Sequence, residues 1–395
     1  MRILHLIASV NPKGGGPIEY ARMMSEAHKR MGHAPAFVTL DAADAPWVKA
    51  FEFPVLAAGS RRRGLNAIRR YHAAVAEAAK DADVAVIHGL WNVATFAGLS
   101  ALNAQNIPWV TFSHGMLDPY FRDLKPVKHW LKQAVWTAAQ GRALSGSYRV
   151  LFTCDEEQRL AENAFWGHQT YRSKVVAFCA TDLSLLLENP EADFEAFQAQ
   201  VPALGARRYL LFLSRIHPKK ACDNLIKAFA SIATDYGDVD LVFAGPDQTG
   251  WQKDLQQLAQ DCGVEARVHW AGMTSGAQKA AAFANALAFT LPSHQENFGI
   301  VVAEALSTRT PVLISKKVNI WKEIVQDHAG LACDDTVEST SRMLRNFLAL
   351  SDEGRAEIRA ATRPCYERRF SVAAGAQDLE AVLSDAIAAA SEGAS

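Results

Sequence analysis

The sequence lacks the features that mark membrane-spanning, secreted and nucleic-acid-binding proteins. None of its apolar runs approaches the roughly 20 residues that a helix needs to cross a bilayer. The first residues, Met1 to Ala8, lack the basic region, long apolar core and cleavage site of a signal peptide, and are predicted to form a strand. The 41 basic and 42 acidic residues nearly cancel, so no overall field favours nucleic acid.

Cysteine is scarce and scattered, and no CxxC pair or Cys/His spacing typical of zinc occurs. This pattern predicts buried thiols in a reducing compartment, hence a cytoplasmic protein without a structural metal. The six positions are Cys154, Cys179, Cys222, Cys262, Cys333 and Cys365. No Gly/Ser/Pro tract indicates disorder, and 49% hydrophobic residues is ordinary for a globular protein.

The length of 395 residues predicts two domains, because single cores stop growing at roughly 250 to 300 residues. Two series of short apolar runs alternate with helical patterns, which predicts an α/β fold with two parallel sheets. A Glu-, Asp-, Ala- and Pro-rich stretch without strand signal, 188–202, separates them. The predicted organisation is domain 1–182, linker 183–206, domain 207–372, and a final helix 373–395 that packs back toward the first domain.

The predicted elements follow from this alternation. The strands of the first series are Ile3–Ala8, Ala36–Leu40, Val84–His88, Trp109–Phe112, Arg149–Thr153 and Val175–Phe178. The strands of the second series are Tyr209–Ser214, Leu241–Gly245, Val268–Gly272, Ala288–Leu291 and Pro311–Ile314. The helices are Ile18–Met31, Asp223–Ala233, Gln252–Asp261, Ser275–Asn285, Gly299–Ser307 and Ala373–Ala390. Open parallel sheets bind ligands at the carboxyl ends of their strands, so we expect the site in a cleft between two such domains.

The stretch from Leu291 to Glu304 carries the strongest functional signal. A strand ends in a polar loop, and a helix begins near Gly299, where free N–H groups suit a diphosphate. Glu296 and Glu304 can point along one side of this helix start and bind hydroxyls of one ligand. The alternative is an N-cap acid and a solvated helix residue. We favour ligand binding because Glu304 lies among apolar residues, where an unpaired carboxylate is costly to bury.

A basic cluster follows the first strand of the second series. Arg215 offers a bidentate fork and Lys220 a point charge, and both suit a pyrophosphate whose charge grows as a sugar leaves. Both follow a strand's carboxyl end, which favours a binding role. For Lys219 we favour a solvated basic turn.

These two stretches resemble the retaining GT-B glycosyltransferases of family four. The similarity extends over nearly the whole chain and includes SRxxxxK at Ser214 to Lys220, PSxxExFGxxxxEA at Pro292 to Ala305, and a glycine-rich loop after the first strand. The resemblance implies two facing Rossmann-like domains with an interdomain cleft. It also implies a nucleotide-diphosphate sugar, such as a GDP- or UDP-sugar, as the donor substrate, with no further cofactor.

The resemblance also implies a role for each matching residue. The two basic side chains would hold the donor diphosphate. Glu296 would contact the donor sugar and Glu304 the ribose. The backbone at Asn297, Phe298 and Gly299 would complete the phosphate site.

The glycine-rich loop after the first strand must let its backbone approach a phosphate or a sugar. It partly matches a dinucleotide fingerprint: Gly14 and Gly16 fit the first two glycines and Asp41 ends the second strand. Glu19 occupies the third glycine position, which argues against that alternative. The family resemblance assigns Gly15 and Gly16 to the donor phosphate or to the acceptor side.

Further candidates follow other strands. His114 lies in a polar loop at a strand's end, and by resemblance it hydrogen-bonds the donor sugar. His88 and Trp91 are predicted on the acceptor side, with simple loop packing as an equal alternative. Gly272 and Met273 are predicted near the nucleobase.

Two further stretches are assigned no part in the site. Asp238-Val-Asp240 resembles the metal-binding DxD of other glycosyltransferases, but it precedes a strand, so we predict no metal. The Asn-Gly-Val-Asp motif of many family members is replaced by Cys179-Ala-Thr-Asp182, and that stretch is assigned no role.

The predicted function is transfer of a sugar to a glycan or polyprenyl-linked acceptor in cell-surface polysaccharide synthesis. A basic and aromatic segment, Tyr120–Trp136, could place the protein at the inner face of the cell membrane. Its alternative is an exposed helix that caps the first domain. Rival functions are a sugar-nucleotide epimerase, which needs no acceptor, and a non-catalytic subunit that binds the donor without consuming it.

Overall fold

The computed structural model describes residues 1–59, 65–119, 122, 126–167 and 170–393. The chain forms two compact units, Met1–Phe178 with Val372–Ser395, and Cys179–Ser371. Within the described residues, no helix is both long and apolar enough to cross a membrane. All six cysteines are free thiols; four are buried, and Cys262 and Cys333 are partly exposed.

The first unit is built on a parallel sheet with the strand order β3-β2-β1-β4-β5-β6-β7. The order reverses between β1 and β4, and at such a switch point the loops leave a crevice at the carboxyl edge. The central strands are apolar on both faces because helices cover both. The strands are β1 Arg2–Leu6, β2 Ala34–Ala42, β3 Val55–Gly59, β4 Val84–His88, β5 Trp109–Phe112, β6 Val150–Phe152 and β7 Ser173–Val175.

The helices of this unit that precede the second unit are α1 Gly16–Arg30, α2 Pro46–Lys49, α3 Leu65–Ala79, α4 Val93–Ala104, α5 Pro126–Val135, α6 Gly141–Ser145 and α7 Asp155–Ala161. Helix α1 begins with Pro17 and Glu19 in its first turn and ends on basic residues, which complements the helix dipole. A π-turn at Trp136–Gln140 joins α5 to α6.

The second unit repeats the architecture around a parallel sheet of order β10-β9-β8-β11-β12-β13. Its strands are β8 Arg208–Leu213, β9 Val239–Ala244, β10 Val268–Gly272, β11 Ala288–Leu291, β12 Val312–Ser315 and β13 Gly330–Cys333. Its helices are α8 Pro190–Gln198, α9 Cys222–Ala230, α10 Gln252–Asp261, α11 Gly276–Ala284, α12 Ile300–Ser307, α13 Trp321–Gln326, α14 Val337–Leu348 and α15 Asp352–Arg369. The predicted α/β class with two parallel sheets is confirmed.

The last helix, α16 Val372–Gly393, belongs to the first unit. It packs on α1, where the Ala376 carbonyl lies 3.1 Å from His28 Nε2. Glu380 Oε1 lies 2.7 Å from His33 Nε2. The chain therefore leaves the first sheet, forms the second unit and returns.

Strands β3 and β13 and helix α8 are among the elements that the sequence did not predict. Strands β3 and β13 are short and contain Ala and Gly, so they carry little β-strand signal. The segment predicted as linker 183–206 contains α8 and belongs to the second unit, because Phe197 and Leu204 are fully buried there. Gln200 also donates to Gln278 Oε1 on α11 at 2.7 Å.

Candidate functional site

The two motif loops of the second unit contact each other. The loop after β8 carries Lys220, and the loop between β11 and α12 carries Glu296; the two side chains form an ion pair. The backbone N–H of His294 donates to the Lys219 carbonyl at 2.9 Å, which ties the loops together. The Lys220 side chain is only 7% exposed and that of Glu296 21%. The structure thus brings together two residues that lie 76 positions apart.

The loop after β8 turns sharply to bury Lys220. His217 accepts a hydrogen bond from Lys219 N at 3.1 Å and caps a turn that begins at Pro218. Burial lowers the pKa of Lys220 to about 7, and the positive charges of Lys219 and Arg215 act in the same direction. A bound diphosphate would favour the charged form, so this lysine is suited to an anionic ligand.

The loop before α12 is held by main-chain bonds on Glu296. Its N–H donates to the Lys317 carbonyl at 2.9 Å, and its carbonyl accepts from Asn319 N at 3.1 Å. Gly299 precedes α12 with φ 73°, and a Cβ there would lie 3.2 Å from Glu296 Cγ. Glycine is therefore needed to start this helix directly behind the glutamate.

The remaining residues predicted around this helix start occupy different environments. Phe298 is buried and packs edge-on against Phe370, with ring centroids 5.6 Å apart. Asn297 Oδ1 accepts from Asn319 Nδ2 at 3.4 Å. The first N–H groups of α12 follow directly, and they form the positive end of the helix dipole.

Glu304 has a partner that the sequence did not reveal. Lys279 Nζ on α11 lies 2.6 Å from Glu304 Oε2, and both side chains are less than one-fifth exposed. The buried carboxylate is therefore compensated within the protein, and its burial alone does not require a ligand. The paired carboxylate retains oxygens that could accept ribose hydroxyls, with Lys279 holding it in place.

The other predicted donor residues follow neighbouring strands. Arg215 is exposed, and its Nη1 lies 3.3 Å from Gln248 Oε1 in the loop after β9. The Gly272 carbonyl accepts from Gly245 N at 2.6 Å, and Met273 is 69% exposed. All lie at the carboxyl edge of the sheet, because Gly272 ends β10 and the others follow β8, β9 or β10.

In the first unit, Asp41 organises the glycine-rich loop. Its carboxylate accepts hydrogen bonds from Ser9 Oγ at 2.7 Å and Val10 N at 2.8 Å. Gly15 is exposed at φ 76°, and α1 begins at Gly16. The acid that a dinucleotide fingerprint would use for a ribose is thus occupied by its own loop, which disfavours that alternative.

His114 lies at one end of a row of three stacked histidines. His88 Nδ1 lies 3.1 Å from His114 Nε2, and His88 Nε2 lies 3.0 Å from His5 Nδ1. Burial lowers the pKa of His114 to about 3 and that of His88 well below its ordinary value. The placement of His88 on the acceptor side needs correction: its ring is buried and both nitrogens face other histidines.

The loop that carries His114 is held by Glu157, which the sequence did not single out. This buried carboxylate accepts from Ser113 Oγ at 2.5 Å and Gly115 N at 2.7 Å. It also accepts from Thr153 N at 2.8 Å. The bonds to residues on both sides of His114 fix its backbone, which is left-handed at φ 48°. No motif could identify Glu157, because its partners Ser113 and Gly115 come from another strand's loop.

Trp91 packs within its own unit, as the loop-packing alternative predicted. Its ring stacks at a tilt on Phe165, with centroids 5.1 Å apart, and its backbone N–H donates to Gln140 Oε1 at 3.1 Å. Lys132 Nζ lies 4.8 Å from the ring centroid. Trp91 is partly exposed, so the acceptor-side placement stays a prediction beside this packing.

The segment Tyr120–Trp136 is only partly described, since Tyr120 and Lys125 lie outside the described residues. Helix α5 turns an apolar stripe to solvent: Val127 is 75% exposed, Trp130 58% and Leu131 65%. Its other side borders a cavity of about 310 Å³ whose lining includes Arg122, Lys128 and Lys132. Trp136 is buried, and its Nε1 donates to the Gly167 carbonyl at 2.6 Å.

The aspartates of the DxD-like stretch have structural partners. Asp240 is buried in β9 and pairs with Arg267 at 2.6 Å, with His269 at 2.8 Å and with Arg207 at 2.9 Å. Asp238 is exposed and pairs with Arg208. Across the described ranges, no cluster of three or more His, Cys, Asp or Glu residues could hold a metal ion.

Comparison with known families agrees with this arrangement. The family described as "Glycosyl transferases group 1" matches residues 193–363, and "Glycosyl transferase 4-like domain" matches residues 15–177. The chain belongs to the group 1 glycosyl transferases. The two matches between them include the His114 loop and both motif loops of the second unit.

Curated relatives of this group 1 chain are distant. D-inositol 3-phosphate glycosyltransferase of Corynebacterium glutamicum (strain R) is 27% identical over 186 residues, 46% of this chain and 44% of that protein. Serotype-specific mannosyltransferase WbdA of Escherichia coli is 24% identical over 202 residues, 50% of this chain and 24% of that protein. The chain thus spans less than half the length of these relatives.

Solved structures match over nearly the full length. Anabaena Alr3699/HepE in complex with UDP and glucose superposes with a TM-score of 0.75 at 20% identity, covering 98% of this chain and 100% of that one. WaaG, a glycosyltransferase involved in lipopolysaccharide biosynthesis, gives 0.64 at 17% identity, covering 98% of both chains. These similarities establish the fold, which is GT-B.

Proposed function

We propose that this protein transfers a sugar from a nucleoside-diphosphate sugar, which binds at the carboxyl edge of the second sheet. The observation that carries the proposal is the ion pair between the buried Lys220 and the partly exposed Glu296, whose loop leads into α12. A lysine and a helix N-terminus suit a diphosphate, and a carboxylate beside them suits a sugar hydroxyl. Family membership and the UDP complex of the Anabaena protein support a nucleotide-sugar donor.

The transfer proceeds with retention and without a metal ion. The bond between the anomeric carbon and the diphosphate oxygen breaks under the charge of Arg215, Lys220 and the α12 N-terminus. The acceptor oxygen attacks from the face that the diphosphate leaves, and the departing diphosphate takes the acceptor's proton. Positive side chains thus take the place of a metal, because the charge that develops is on the phosphate oxygens.

The acceptor in this proposal is a glycan or a polyprenyl-linked sugar of a cell-surface polysaccharide, and the donor is a GDP- or UDP-sugar. The functions of WbdA and WaaG, serotype-specific mannosyl transfer and lipopolysaccharide biosynthesis, support this class. The exposed stripe of Val127, Trp130 and Leu131 beside basic residues supports a cytoplasmic protein that touches the inner face of the membrane.

The donor assignment is tested by thermal unfolding with GDP, UDP, ADP and NAD at one equal concentration, chosen to be about 100 times the dissociation constant of the diphosphate that binds. Binding at that level adds about 2.7 kcal/mol to the free energy of unfolding. We expect GDP or UDP to raise the melting temperature and NAD to leave it unchanged. The Lys220→Ala variant should lose this shift, because the diphosphate loses its buried cation.

The thermal panel, combined with assays of turnover, separates the rival functions. Stabilisation by NAD alone would contradict the donor site. Donor binding with acceptor-independent interconversion of the sugar would identify an epimerase, and donor binding without any turnover a non-catalytic subunit. The transferase assignment requires that radiolabelled sugar move from the donor to a glycan or lipid-linked acceptor.

The membrane contact is tested by co-sedimentation with vesicles that contain anionic lipid. The Leu131→Glu variant places a charge in the middle of the exposed stripe, and we expect it to reduce the bound fraction at least roughly fivefold, because a buried charge opposes interfacial insertion. Leu185→Glu is the matched control, since Leu185 is 76% exposed but lies in the second unit. An equal loss in both variants, or no sedimentation of the wild type, would rule out this contact surface.

A further inference from the structure

The hydrogen bonds that join His5, His88 and His114 must all run in the same direction along the row. A neutral imidazole has one N–H donor and one lone-pair acceptor, so rings joined nitrogen to nitrogen must all donate the same way along the row. The two distances between facing ring nitrogens, 3.0 and 3.1 Å, both fit hydrogen bonds. Burial lowers the pKa of all three rings, which keeps them neutral. Two arrangements of protons therefore remain: either every ring donates in the direction from His5 to His114, or every ring donates in the reverse direction.

Ser25 determines which of the two hydrogen-bond directions is adopted. Its Oγ lies 3.4 Å from His5 Nε2 at the far end of the row, and the residue is fully buried. His5 is its one side-chain partner within the part of the chain that the structure describes. If His5 donated to Ser25, the hydroxyl hydrogen would be buried without an acceptor, which carries the full desolvation penalty. The hydroxyl therefore donates to His5, and every other bond in the row follows from that.

We propose that Ser25, His5 and His88 are positioning residues that hold His114 in the neutral form protonated on Nδ1, so that His114 donates a hydrogen bond to the ligand. The sequence of bonds is Ser25 Oγ–H to His5 Nε2, His5 Nδ1–H to His88 Nε2, and His88 Nδ1–H to His114 Nε2. His114 is partly exposed, and its Nδ1 is the atom left for a ligand oxygen. This inference rests on the proposed function for the identity of that ligand, a donor sugar or diphosphate.

The surrounding groups preserve this arrangement. Glu157 fixes the backbone on both sides of His114, so the ring meets His88 at a set position. His28 is the titratable neighbour of His5; burial lowers its pKa, and its Nε2 donates to the Ala376 carbonyl. His114 therefore serves as a fixed donor and not as a general base. Its contribution to transfer should stay constant between pH 5.5 and 8.

Nitrogen NMR of the full chain labelled with ¹⁵N-histidine, recorded without sugar donor or acceptor substrate, tests which ring nitrogens carry protons. We expect His5, His88 and His114 each to show a protonated Nδ1 and an unprotonated Nε2, without titration between pH 5.5 and 8. Signals are assigned with His5→Asn and His88→Asn, since Asn Nδ2 takes the place of the imidazole Nδ1. A protonated Nε2 on His114, or titration of its ring near pH 6.5, would overturn the proposal.

Ser25→Ala tests what sets the direction. Removing the hydroxyl leaves both directions open, so we expect a mixed tautomer signal from His114 and a roughly tenfold lower rate of transfer. Ser25→Thr keeps the hydroxyl and should restore both. Ser100→Ala is the control, because the Ser100 hydroxyl donates to the Ala97 carbonyl of its own helix and should not affect either readout. If the Ser25→Ala variant kept the same single His114 tautomer as the wild type, the role of Ser25 would be refuted. Absence of transfer in the wild type would refute the proposed function and leave the tautomer result standing.

Discussion

Replacement of Lys220 by Ala, or of Glu296 by Gln, is expected to lower the rate of sugar transfer by roughly 10² or more. Removal of a charge contact that strengthens as the diphosphate leaves costs about 3 kcal/mol of transition-state stabilisation. The two residues form one buried ion pair, so the double variant should lose much less than the sum of the single losses. Steady-state kinetics with donor and acceptor measure all three variants.

Lys219→Ala is the matched control for this experiment. Lys219 is adjacent in the chain and equally basic, yet its contact with the second loop is through its main-chain carbonyl, which alanine retains. Its variant should transfer sugar within about threefold of wild type, since the proposed donor site uses the Lys220 side chain and only the main chain of Lys219. Near-wild-type rates for both Lys220→Ala and Glu296→Gln would remove the basis of the proposed donor site.

Asp240→Asn is expected to lower the free energy of unfolding by about 3 kcal/mol, which corresponds to a melting temperature lower by roughly 6–12 °C for a unit of this size. The carboxylate is 1% exposed, compensates two arginines and accepts a hydrogen bond from His269. An amide of the same shape leaves Arg267, whose side chain is 21% exposed, without its counter-charge. Differential scanning calorimetry measures the shift.

Asp238→Asn provides the comparison within the same DxD-like stretch. Asp238 is 61% exposed, and its pair with Arg208 is on the surface, so we expect a change within about 0.5 kcal/mol. Sugar transfer by either folded variant should be unaffected by added Mn²⁺ or by EDTA. If both variants kept the wild-type melting temperature but lost a metal-dependent activity, the stretch would be a metal site and the metal-free mechanism would be wrong.

The positions of Lys220 and Glu296 could be predicted because each lies at a fixed offset from a strand end. A parallel strand brings its following loop to one edge of the sheet, so two such loops meet whatever lies between them in the chain. Glu304 was different: its burial could be predicted from the apolar helix around it, but Lys279 could not. That pairing joins two helices 25 residues apart, and nothing in the local pattern of α11 distinguishes this lysine from a solvated one.

In the first unit too, some features of the candidate residues could be predicted from local sequence and others could not. Local sequence predicted that His88 and His114 end strands, but not that their rings join His5 in a buried row, since the His5–His88 contact spans 83 positions. Trp91 could equally line an acceptor site or pack on its own unit, and its contact with Phe165 was not apparent from the sequence.

By itself, the sequence determined the alternation of strands and helices, the two parallel sheets and the loops that carry the motif residues, because these depend on periodicity and on neighbours within a few positions. The tertiary structure alone decided which charged and polar side chains are compensated: Glu304 by Lys279, Asp240 by its arginines, and the Ser113–Gly115 loop by Glu157. Burial makes an uncompensated polar group costly, but many distant residues could supply the partner, and only the packed chain selects one.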